Sequence, residues 1–518
     1  MVKLAAVSMN PNHSMNTPRT AIVIGSGVAG LATSIRLACQ GYHVQVFEKN
    51  AFPGGKLHHF EQEGFHFDAG PSLFTRPQLI EELFSLAGEP IEDFFSYQKL
   101  PVSCNYFYED GTQLNAYADR NRLAAELAEK HGEKEEKVLA YLEKAAQLFN
   151  QVGNIFLEHS LHDGSVFREA SVIAAIRATR WQHLFSSMHR LNANAFSNPK
   201  TTQLFDRYAT YNGSNPYKAP GMLSMIAHLE HNEGSFYPQG GMISITRALH
   251  QLACKKGVQF HFNTTVTRIH LQNGKAIGVN TNQDFFSTDI IVSNVDVYFT
   301  YLRLLQQPVQ AEKILKQERS SSAMIFYWGI RSSFPQLSLH NIFFSANYER
   351  EFDHLFRLKT LFEDPTVYIN ITSKCEPGIQ APDGMENWFV MINVPANIGQ
   401  NWDRYRQDSR QRILKKISRL LGTDIEPLIV TESTADPVSI ESLTDSYRGS
   451  LYGTSSNSQL AAFLRHANFS KRIPGLYFVG GSVHPGGGIP LCLSSAAITA
   501  SVIARKEKNK KESFDTGL

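Results

Sequence analysis

Six residues near the start of the chain have the types and spacing of a phosphate-binding turn. They follow the apolar run Thr20–Ile24 and precede apolar residues at helical spacing, which predicts a strand, a tight turn and a helix. In such a unit the first glycine permits the turn, the second lets a pyrophosphate approach the backbone, and the third lets the helix pack closely on the strand. The pattern predicts a dinucleotide site with phosphates held by free amides. The six residues are Gly25, Ser26, Gly27, Val28, Ala29 and Gly30.

An acidic residue follows where such a site needs one. The predicted second strand, His43–Phe47, is followed by Glu48, eighteen positions beyond Gly30, and then by Lys49. A carboxylate at this point accepts hydrogen bonds from ribose hydroxyls and repels a 2′-phosphate, which disfavours NADP. The alternative is a glycine-rich turn that binds no cofactor, but strand, helix and acid in register favour the dinucleotide.

A second glycine pair indicates which dinucleotide is bound. Residues 53–57 read Pro-Gly-Gly-Lys-Leu, and two glycines beside a cation suit a further pyrophosphate contact. Such a loop so soon after Glu48 favours FAD over NAD, with an ordinary surface turn as the alternative. The residues assigned to the cofactor here are Gly55, Lys56 and Leu57.

A third glycine-rich segment lies far along the chain. Residues 475–482 predict a buried strand that ends in a tight turn, and residues 486–490 open the final helix. Amides at that helix start would point at an electron-rich group, such as the N1/O2 edge of a reduced flavin. A plain glycine hinge is the alternative, and the cofactor domain must in either case be assembled from separated segments. The assigned residues are Gly480, Gly481, Ser482, Gly488, Ile489 and Pro490.

Together with several other segments, these motifs resemble the carotenoid desaturase family of flavoenzymes over nearly the whole chain. The version here is most similar to 3,4-desaturases of 1-hydroxycarotenoids. Relatives often carry arginine where this chain has Lys56, so charge is retained but bidentate phosphate binding is not. The segments are GSGVAG at Gly25, FPGGKL at Phe52, FDAGPSLFT at Phe67, RYATYNGSNPYKAP at Arg207, YPQGGM at Tyr237, VSNVD at Val292, YRGSLYG at Tyr447 and LYFVGGSVHPGGGIPLCLSSA at Leu476.

The resemblance implies an FAD cofactor, a carotenoid substrate and further site residues. It places the backbone of Val266 against the adenine and adds a loop to the FAD-binding set, formed by Gly70, Pro71 and Ser72. It also places Arg207 and Tyr211 beside the cavity as catalytic candidates, with a structural ion pair and a core tyrosine as the alternative.

His484 is a third catalytic candidate, because it lies close to the expected flavin end, where a proton acceptor would be useful. Turn packing is the alternative reading of this histidine. The chain shows no Ser-His-Asp order and no HExxH motif, so the sequence predicts neither covalent catalysis nor a metal site.

The implied fold class is α/β: a Rossmann-like FAD-binding domain of the amine oxidase/glutathione reductase type with an inserted mixed α+β substrate domain. Strand-like runs at 323–330, 341–345, 366–371 and 388–394 belong to the substrate sheet, and the aromatic run Met324–Trp328 lines a polyene tunnel or fills an ordinary strand core. The expected divisions are a disordered leader (1–17), FAD-binding parts (18–95, 236–300, 471–518), a helical substrate or membrane-facing region (96–235) and the substrate-domain sheet (301–470).

Composition limits the partners. The 50 Lys and Arg nearly balance 48 Asp and Glu, so no global field recruits nucleic acid. Five cysteines without a CxxC pair argue against a disulfide framework or a zinc site and suit a reducing cytoplasm. No window approaches the ~20 uninterrupted apolar residues of a membrane span.

Segment 171–190 favours peripheral docking on the inner face of the membrane. Apolar residues recur at helical spacing beside several cations, which would suit anionic lipid. A core-facing helix with solvated cations is the alternative. The residues concerned are Arg177, Arg180, Trp181, His183, Leu184, Phe185, Met188, His189 and Arg190.

The expected reaction removes a hydride and a proton from adjacent carbons of the polyene and passes the electrons to oxygen or a membrane quinone. A phytoene desaturase, a carotenoid isomerase or ketolase, and less readily an amine oxidase, are alternatives. An alternative of another class is a prenyl-lipid carrier with the FAD-binding fold.

Overall fold

The structure is a computed structural model that describes residues 19–164, 166–168, 172–174, 186–458 and 465–515. The expected leader, 1–17, and residues 175–185 of the predicted docking segment lie outside these ranges. The strands of the described part are β1 (Thr20–Ile24), β2 (His43–Phe47), β3 (His59–Gln62), β4 (Phe65–Asp68), β5 (Tyr97–Lys99), β6 (Val102–Phe107), β7 (Gln113–Tyr117), β8 (Phe236–Pro238), β9 (Gln259–His261), β10 (Val266–Gln272), β11 (Lys275–Thr281), β12 (Phe285–Ser287), β13 (Ile290–Ser293), β14 (Ser322–Ile330), β15 (His340–Phe343), β16 (Val367–Ile371), β17 (Glu386–Val394), β18 (Ile429–Ala435) and β19 (Leu476–Phe478).

The α-helices are connected in several places by short 3-10 and π turns. Their bounds are Val28–Cys39, Gln78–Ala87, Arg120–His131, Glu135–Leu148, Asn154–Glu158, Met188–Ala195, Pro199–Asp206, Ile226–His228, Ile243–Lys255, Val297–Phe299, Pro308–Leu315, Tyr348–Asp353, Trp402–Leu421, Pro437–Thr444 and Ile489–Asp515.

The first sheet is parallel throughout and has the order β19-β13-β1-β2-β9. Its strands come from three distant parts of the chain, which confirms that this domain is assembled from separated segments. Strands β1 and β2 have the bounds that the sequence predicts. Helix Val28–Cys39 covers one face together with Ile243–Lys255 and Ile489–Asp515, because the apolar residues of all three enter the same buried core.

The last helix also has the length and composition to cross a membrane over Ile489–Asn509, although the sequence predicts no span. Its most apolar window is 56% buried inside the protein. Leu493, Ala496 and Ile503 pack into the core of the parallel sheet. Packing against the first helix therefore accounts for its apolar residues.

The second large sheet has seven strands in the order β18-β14-β17-β16-β15-β6-β7. All neighbours are antiparallel except β15 and β6. The four strand runs predicted between 323 and 394 are confirmed as β14 to β17, with ends that differ by a few residues. Alternate side chains of β14, including Phe326 and Trp328, pack against helix Trp402–Leu421. The opposite face of the seven-stranded sheet lines a cavity.

Residues 172–174 and 186–190 of the predicted docking segment are described, and the last of them do not form an apolar membrane face. Met188 is fully buried in the core, which corrects its assignment to that surface. His189 binds Asp206 at 2.6 Å, and this hydrogen bond raises the pKa of His189. Arg190 is exposed.

Candidate functional site

A cavity of about 760 Å³ extends from the turn after β1 to the free face of the seven-stranded sheet. The parallel sheet supplies the first turn and the loops after β2 and β13. The seven-stranded sheet supplies alternate residues of neighbouring strands, which share one face because they are paired in register. One end of the cavity is therefore formed by the turn and loops of the parallel sheet, and we call it the backbone-built end. The other is formed by side chains of the seven-stranded sheet, and we call it the side-chain-built end.

The turn after β1 has the geometry expected of a pyrophosphate cradle. Gly25 has φ +93° and donates its amide to the carbonyl of Phe47 at 2.8 Å, which ties the turn to β2. A Cβ on Gly30 would lie 2.1 Å from the carbonyl oxygen of Gly25, so only glycine allows the helix to approach this closely. The turn at Gly25 and the close helix packing at Gly30 are the roles that the sequence predicts for these two glycines.

Glu48 is buried and belongs to the same end of the cavity. Its Oε2 accepts hydrogen bonds from the amide of Ser26 at 2.8 Å and from the hydroxyl of Ser26 at 2.9 Å, while Oε1 accepts from the amide of Asn50 at 2.9 Å. The carboxylate is thus fixed before any ribose binds. Val266 lies beside it in the lining, and Lys49 forms an ion pair with Asp445 at 2.7 Å.

The two distant glycine segments meet at Asn294. Its Oδ1 accepts from the amide of Gly30 at 3.2 Å, and its Nδ2 donates to the carbonyl of Val479 at 3.1 Å. A Cβ on Gly480 would lie 2.4 Å from that Nδ2, so the second corner also requires glycine. The sequence analysis quoted the VSNVD segment for its resemblance but gave Asn294 no role.

The Gly-Gly-Lys loop closes over the first turn. The amide of Gly54 donates to the carbonyl of Ser26 at 2.9 Å. Lys56 Nζ donates to the carbonyls of Leu451 at 2.7 Å and Ser450 at 3.2 Å, and burial lowers its pKa to about 8 although Asp296 acts in the opposite direction. The loop thus places a half-buried cation in the cavity lining.

Most of the predicted cofactor residues line the cavity. Ser26, Gly30 and Gly480 do not, because they hold the corners together behind it. The lining members are Gly25, Gly27, Val28, Ala29, Glu48, Lys49, Gly55, Lys56, Leu57, Gly70, Pro71, Ser72, Val266, Gly481, Ser482, Gly488, Ile489 and Pro490.

These residues fit a flavin dinucleotide. The acid, the first turn and the start of helix Ile489–Asp515 all line the cavity. Gly488 has φ +108° and no heavy atom within 4 Å of a Cβ built on it, so open space adjoins the turn before that helix. Bound there, FAD would supply a hydride acceptor.

Arg207 and Tyr211 lie at the side-chain-built end, where they share the carboxylate of Glu230. Arg207 Nη2 is 3.0 Å from Oε2 and 3.2 Å from Oε1, and the hydroxyl of Tyr211 also donates to Oε2. Burial opposes ionisation of Glu230, but Arg207 and then His231 hold its pKa at about 2. Glu230 stays charged and fully paired, which makes it a weak proton acceptor.

His484 lies outside the cavity lining, which argues against the predicted role as a proton acceptor at the flavin end. Its ring packs edge-on against Phe156 at 4.8 Å, and Nε2 donates to the carbonyl of His159 at 2.9 Å. Burial lowers its pKa to about 4. The contacts are those of turn packing.

Several lining residues were given no role by the sequence analysis, although Asp296 belongs to the VSNVD segment quoted for the resemblance. Asp296 forms a buried ion pair with Arg319, Arg465 donates to the carbonyl of Tyr452 at 3.1 Å, and His340 lies on β15. Their partners are distant in sequence, so only the tertiary fold reveals them.

Comparisons with known proteins agree with this geometry. The family model of the flavin containing amine oxidoreductases matches residues 28–504. A 1-hydroxycarotenoid 3,4-desaturase from Flavobacterium sp. (strain P99-3) is 52% identical over 94% of this chain and 99% of its own. A 4,4'-diapolycopene oxygenase from Methylomonas sp is 31% identical over 96% of this chain and 99% of its own.

Solved structures confirm the fold class at low sequence identity. Wild-type putrescine oxidase bound to putrescine gives a TM-score of 0.60 at 14% identity, covering 94% of this chain and 99% of its own. Cyclohexylamine oxidase from Brevibacterium oxydans IH-35A gives a TM-score of 0.59 at 14% identity, covering 95% of this chain and 100% of its own. The chain belongs to the flavin-containing amine oxidoreductase family, in its carotenoid desaturase-like branch, and is an FAD-dependent oxidoreductase.

Proposed function

We propose that this chain is a carotenoid desaturase that introduces a carbon–carbon double bond into an acyclic carotenoid end by 3,4-desaturation of a 1-hydroxycarotenoid. The Flavobacterium relative, which carries that name, supports the proposal because its similarity extends over almost the full length of both chains. The cofactor residues assigned above bind the FAD.

The observation that carries the proposal is the apolar character of the cavity beyond the cofactor corners. One wall is the free face of the seven-stranded sheet, and the other consists of apolar side chains from helical segments. Such a channel suits a long hydrocarbon and excludes water. The sheet wall contains Ala323, Ile325, Tyr327, Ile342, Phe389 and Met391, and the facing wall contains Phe149, Val152, Phe156, Met222, Leu223 and Leu229.

The charge distribution disfavours a small cationic amine. Glu230 is the acid at the side-chain-built end, and its charge is balanced by Arg207 at 3.0 Å. An amine would have to displace a buried guanidinium to use that carboxylate, which is costly. The arrangement supports a neutral substrate.

Desaturation removes a hydride, which bound FAD would accept, and a proton, which is released to solvent, from adjacent carbons, and the protein contributes chiefly by positioning the bond. The two apolar walls hold the chain in one orientation, which lowers the entropic part of the barrier. Arg207 and Tyr211 act with Glu230 as positioning residues that keep the polar end rigid. Oxygen or a membrane quinone reoxidises the cofactor.

A peripheral position on the inner face of the membrane and the six-part domain division remain proposals. An apolar substrate dissolves in lipid, and the exposed Ile173 and Arg190 belong to the predicted docking segment. Unchanged co-sedimentation with anionic liposomes after neutralising Arg190 would count against docking through this residue.

The decisive experiment expresses the chain in cells that make lycopene, γ-carotene or their 1-hydroxy derivatives. We expect a red-shifted pigment that has lost two hydrogen atoms, formed from the hydroxylated carotenoid. Unchanged pigments in every strain reject the proposal. A product of unchanged mass indicates an isomerase. A product that has gained oxygen indicates an oxygenase, which is the activity given in the name of the Methylomonas relative.

The purified protein separates enzyme from carrier. We expect a yellow protein with an oxidised flavin spectrum. A colourless protein that binds prenyl lipid tightly would instead identify a carrier.

A further inference from the structure

The sheet wall of the cavity contains a few polar side chains, and one of them is the buried histidine His340. His340 and Ile342 alternate along β15 and face the cavity, and their antiparallel partners on β16 are Asn370 and Tyr368. His340 is only 3% exposed. Neither the family resemblance nor the proposed reaction gives this histidine a role.

The hydrogen bonds around His340 leave one of its two ring nitrogens available. Nδ1 lies 2.7 Å from the hydroxyl of Tyr368 and 3.2 Å from Nδ2 of Asn370, whose orientation is fixed by its bond to the carbonyl of Leu339 at 3.2 Å. Nδ1 is therefore paired in either tautomer of the ring. Burial lowers the pKa of His340 to about 4, so the ring is neutral near neutral pH.

A relay connects this ring to the cofactor loop. Nδ1 and the hydroxyl of Tyr368 are hydrogen-bonded at 2.7 Å. The hydroxyl of Tyr368 is in turn hydrogen-bonded to the hydroxyl of Ser72 at 2.8 Å. Ser72 follows Gly70 and Pro71 in the cavity lining, so the orientation of His340 is set from the cofactor side of the site.

Nε2 of His340 is left without a hydrogen-bond partner among the residues that the structure describes. Glu230, which acts on His340 electrostatically, is not available, because both of its oxygens are occupied by Arg207, Tyr208 and Tyr211. Buried polar atoms are almost always paired in folded proteins. A ring nitrogen left unpaired in a residue that lines the cavity therefore indicates a ligand that brings a polar group.

We infer that His340 Nε2 forms a hydrogen bond with the hydroxyl group of the substrate, which can donate or accept, and so selects a hydroxylated polyene over the corresponding hydrocarbon. This inference rests on the proposed function and assigns His340 as a specificity residue. A site built to hydrogen-bond a hydroxyl discriminates strongly against an analogue that lacks it, because the buried polar atom is then left unpaired.

The test compares purified wild-type enzyme, His340→Leu and His340→Gln on a 1-hydroxycarotenoid and on its non-hydroxylated counterpart, both in the same detergent. For His340→Leu we expect the ratio of the two kcat/KM values to fall on the order of tenfold, mostly through KM of the hydroxylated substrate. His340→Gln keeps an N–H donor and restores part of the ratio. Tyr368→Phe breaks the relay and lowers the ratio less, since Asn370 still orients the ring.

His131 provides a matched control, because it is also buried but does not line the cavity. His131→Leu should leave the ratio unchanged, and flavin absorbance should confirm that each variant is folded and loaded. Equal losses on both substrates in His340→Leu, or an unchanged ratio, overturn the inference and indicate a structural role or a bound water. A flavin-loaded wild-type enzyme that converts neither substrate refutes the proposed function instead.

Discussion

The two ends of the cavity are built in different ways. The cofactor end depends on backbone positions such as Gly25, Gly30 and Gly480, where a side chain would collide with a neighbour or strain the turn. The substrate end depends on side chains such as Ile325 and His340, which reach the same space from different strands. Backbone sites tolerate almost no substitution, whereas side-chain sites can be retuned. A change at the first end should therefore abolish cofactor binding, and a change at the second should alter substrate use.

The largest effect is expected for Gly30→Val. A Cβ here would lie 2.1 Å from the Gly25 carbonyl, a contact that the helix can relieve only by moving off the strand. We expect purified protein without flavin absorbance. Gly164→Val is the control, because nothing lies within 4 Å of its Cβ, and it should retain flavin. A yellow Gly30→Val protein would contradict the close-packing role.

This difference between the ends also explains what the sequence could predict. The glycine turn, β1, β2 and Glu48 are contiguous or regularly spaced, so their roles followed from local pattern. Asn294 bonds to Val479, and His340 is connected to Ser72 through Tyr368. These partners are far away in sequence, so no spacing rule marks either residue.

Strand β14 shows the same limit on a smaller scale. The sequence allowed two interpretations of its aromatic run, a tunnel lining or a strand core. In the structure both apply, because alternate side chains of the strand point to opposite faces. Ile325 and Tyr327 line the cavity, while Met324, Phe326 and Trp328 enter the core. The strand was predictable, but the face that meets the ligand was not, because both faces are covered.

The second prediction uses these neighbours to test that division. Ile325→Phe adds volume to the cavity wall, so we expect kcat/KM for the carotenoid to fall on the order of tenfold while flavin content and Tm stay near wild type. Met324→Phe adds volume to the opposite, fully buried face, and should instead lower the free energy of unfolding by about 1–3 kcal/mol.

Steady-state kinetics and thermal unfolding of both variants provide the measurement. If Met324→Phe reduces substrate turnover and Ile325→Phe reduces only stability, the assignment of the two faces is wrong.

The third prediction concerns the residue that joins the two glycine corners. Asn294→Leu removes the acceptor for Gly30 and the donor for Val479, leaving both buried backbone groups unpaired. Each unpaired group costs about 1–3 kcal/mol, so we expect a lower Tm and slow loss of FAD on gel filtration. Asn294→Asp keeps the acceptor and should be milder. Wild-type stability and flavin retention in Asn294→Leu would show that the corners do not depend on this bridge.

The smallest effect is a pH dependence at the cofactor end that the substrate end should not share. In the free protein Lys56 has a pKa of about 8, mainly because burial disfavours its charge. An FAD pyrophosphate near Lys56 would stabilise the charged form, so binding takes up a proton above that pH. Affinity for FAD should be highest below about pH 8 and should fall as the pH rises from there toward 10.5, the ordinary value for lysine.

Two variants, Lys56→Arg and Lys56→Met, test whether the pH dependence of FAD affinity comes from the titration of Lys56. Arginine stays protonated over the whole range, so its affinity should be flat. Methionine removes the charge, so its affinity should be low throughout and equally flat. Titration of the apoprotein with FAD, followed by flavin fluorescence, measures all three proteins under the same conditions. A decline in Lys56→Arg as steep as in wild type would assign the titration to another group and remove Lys56 from the phosphate site.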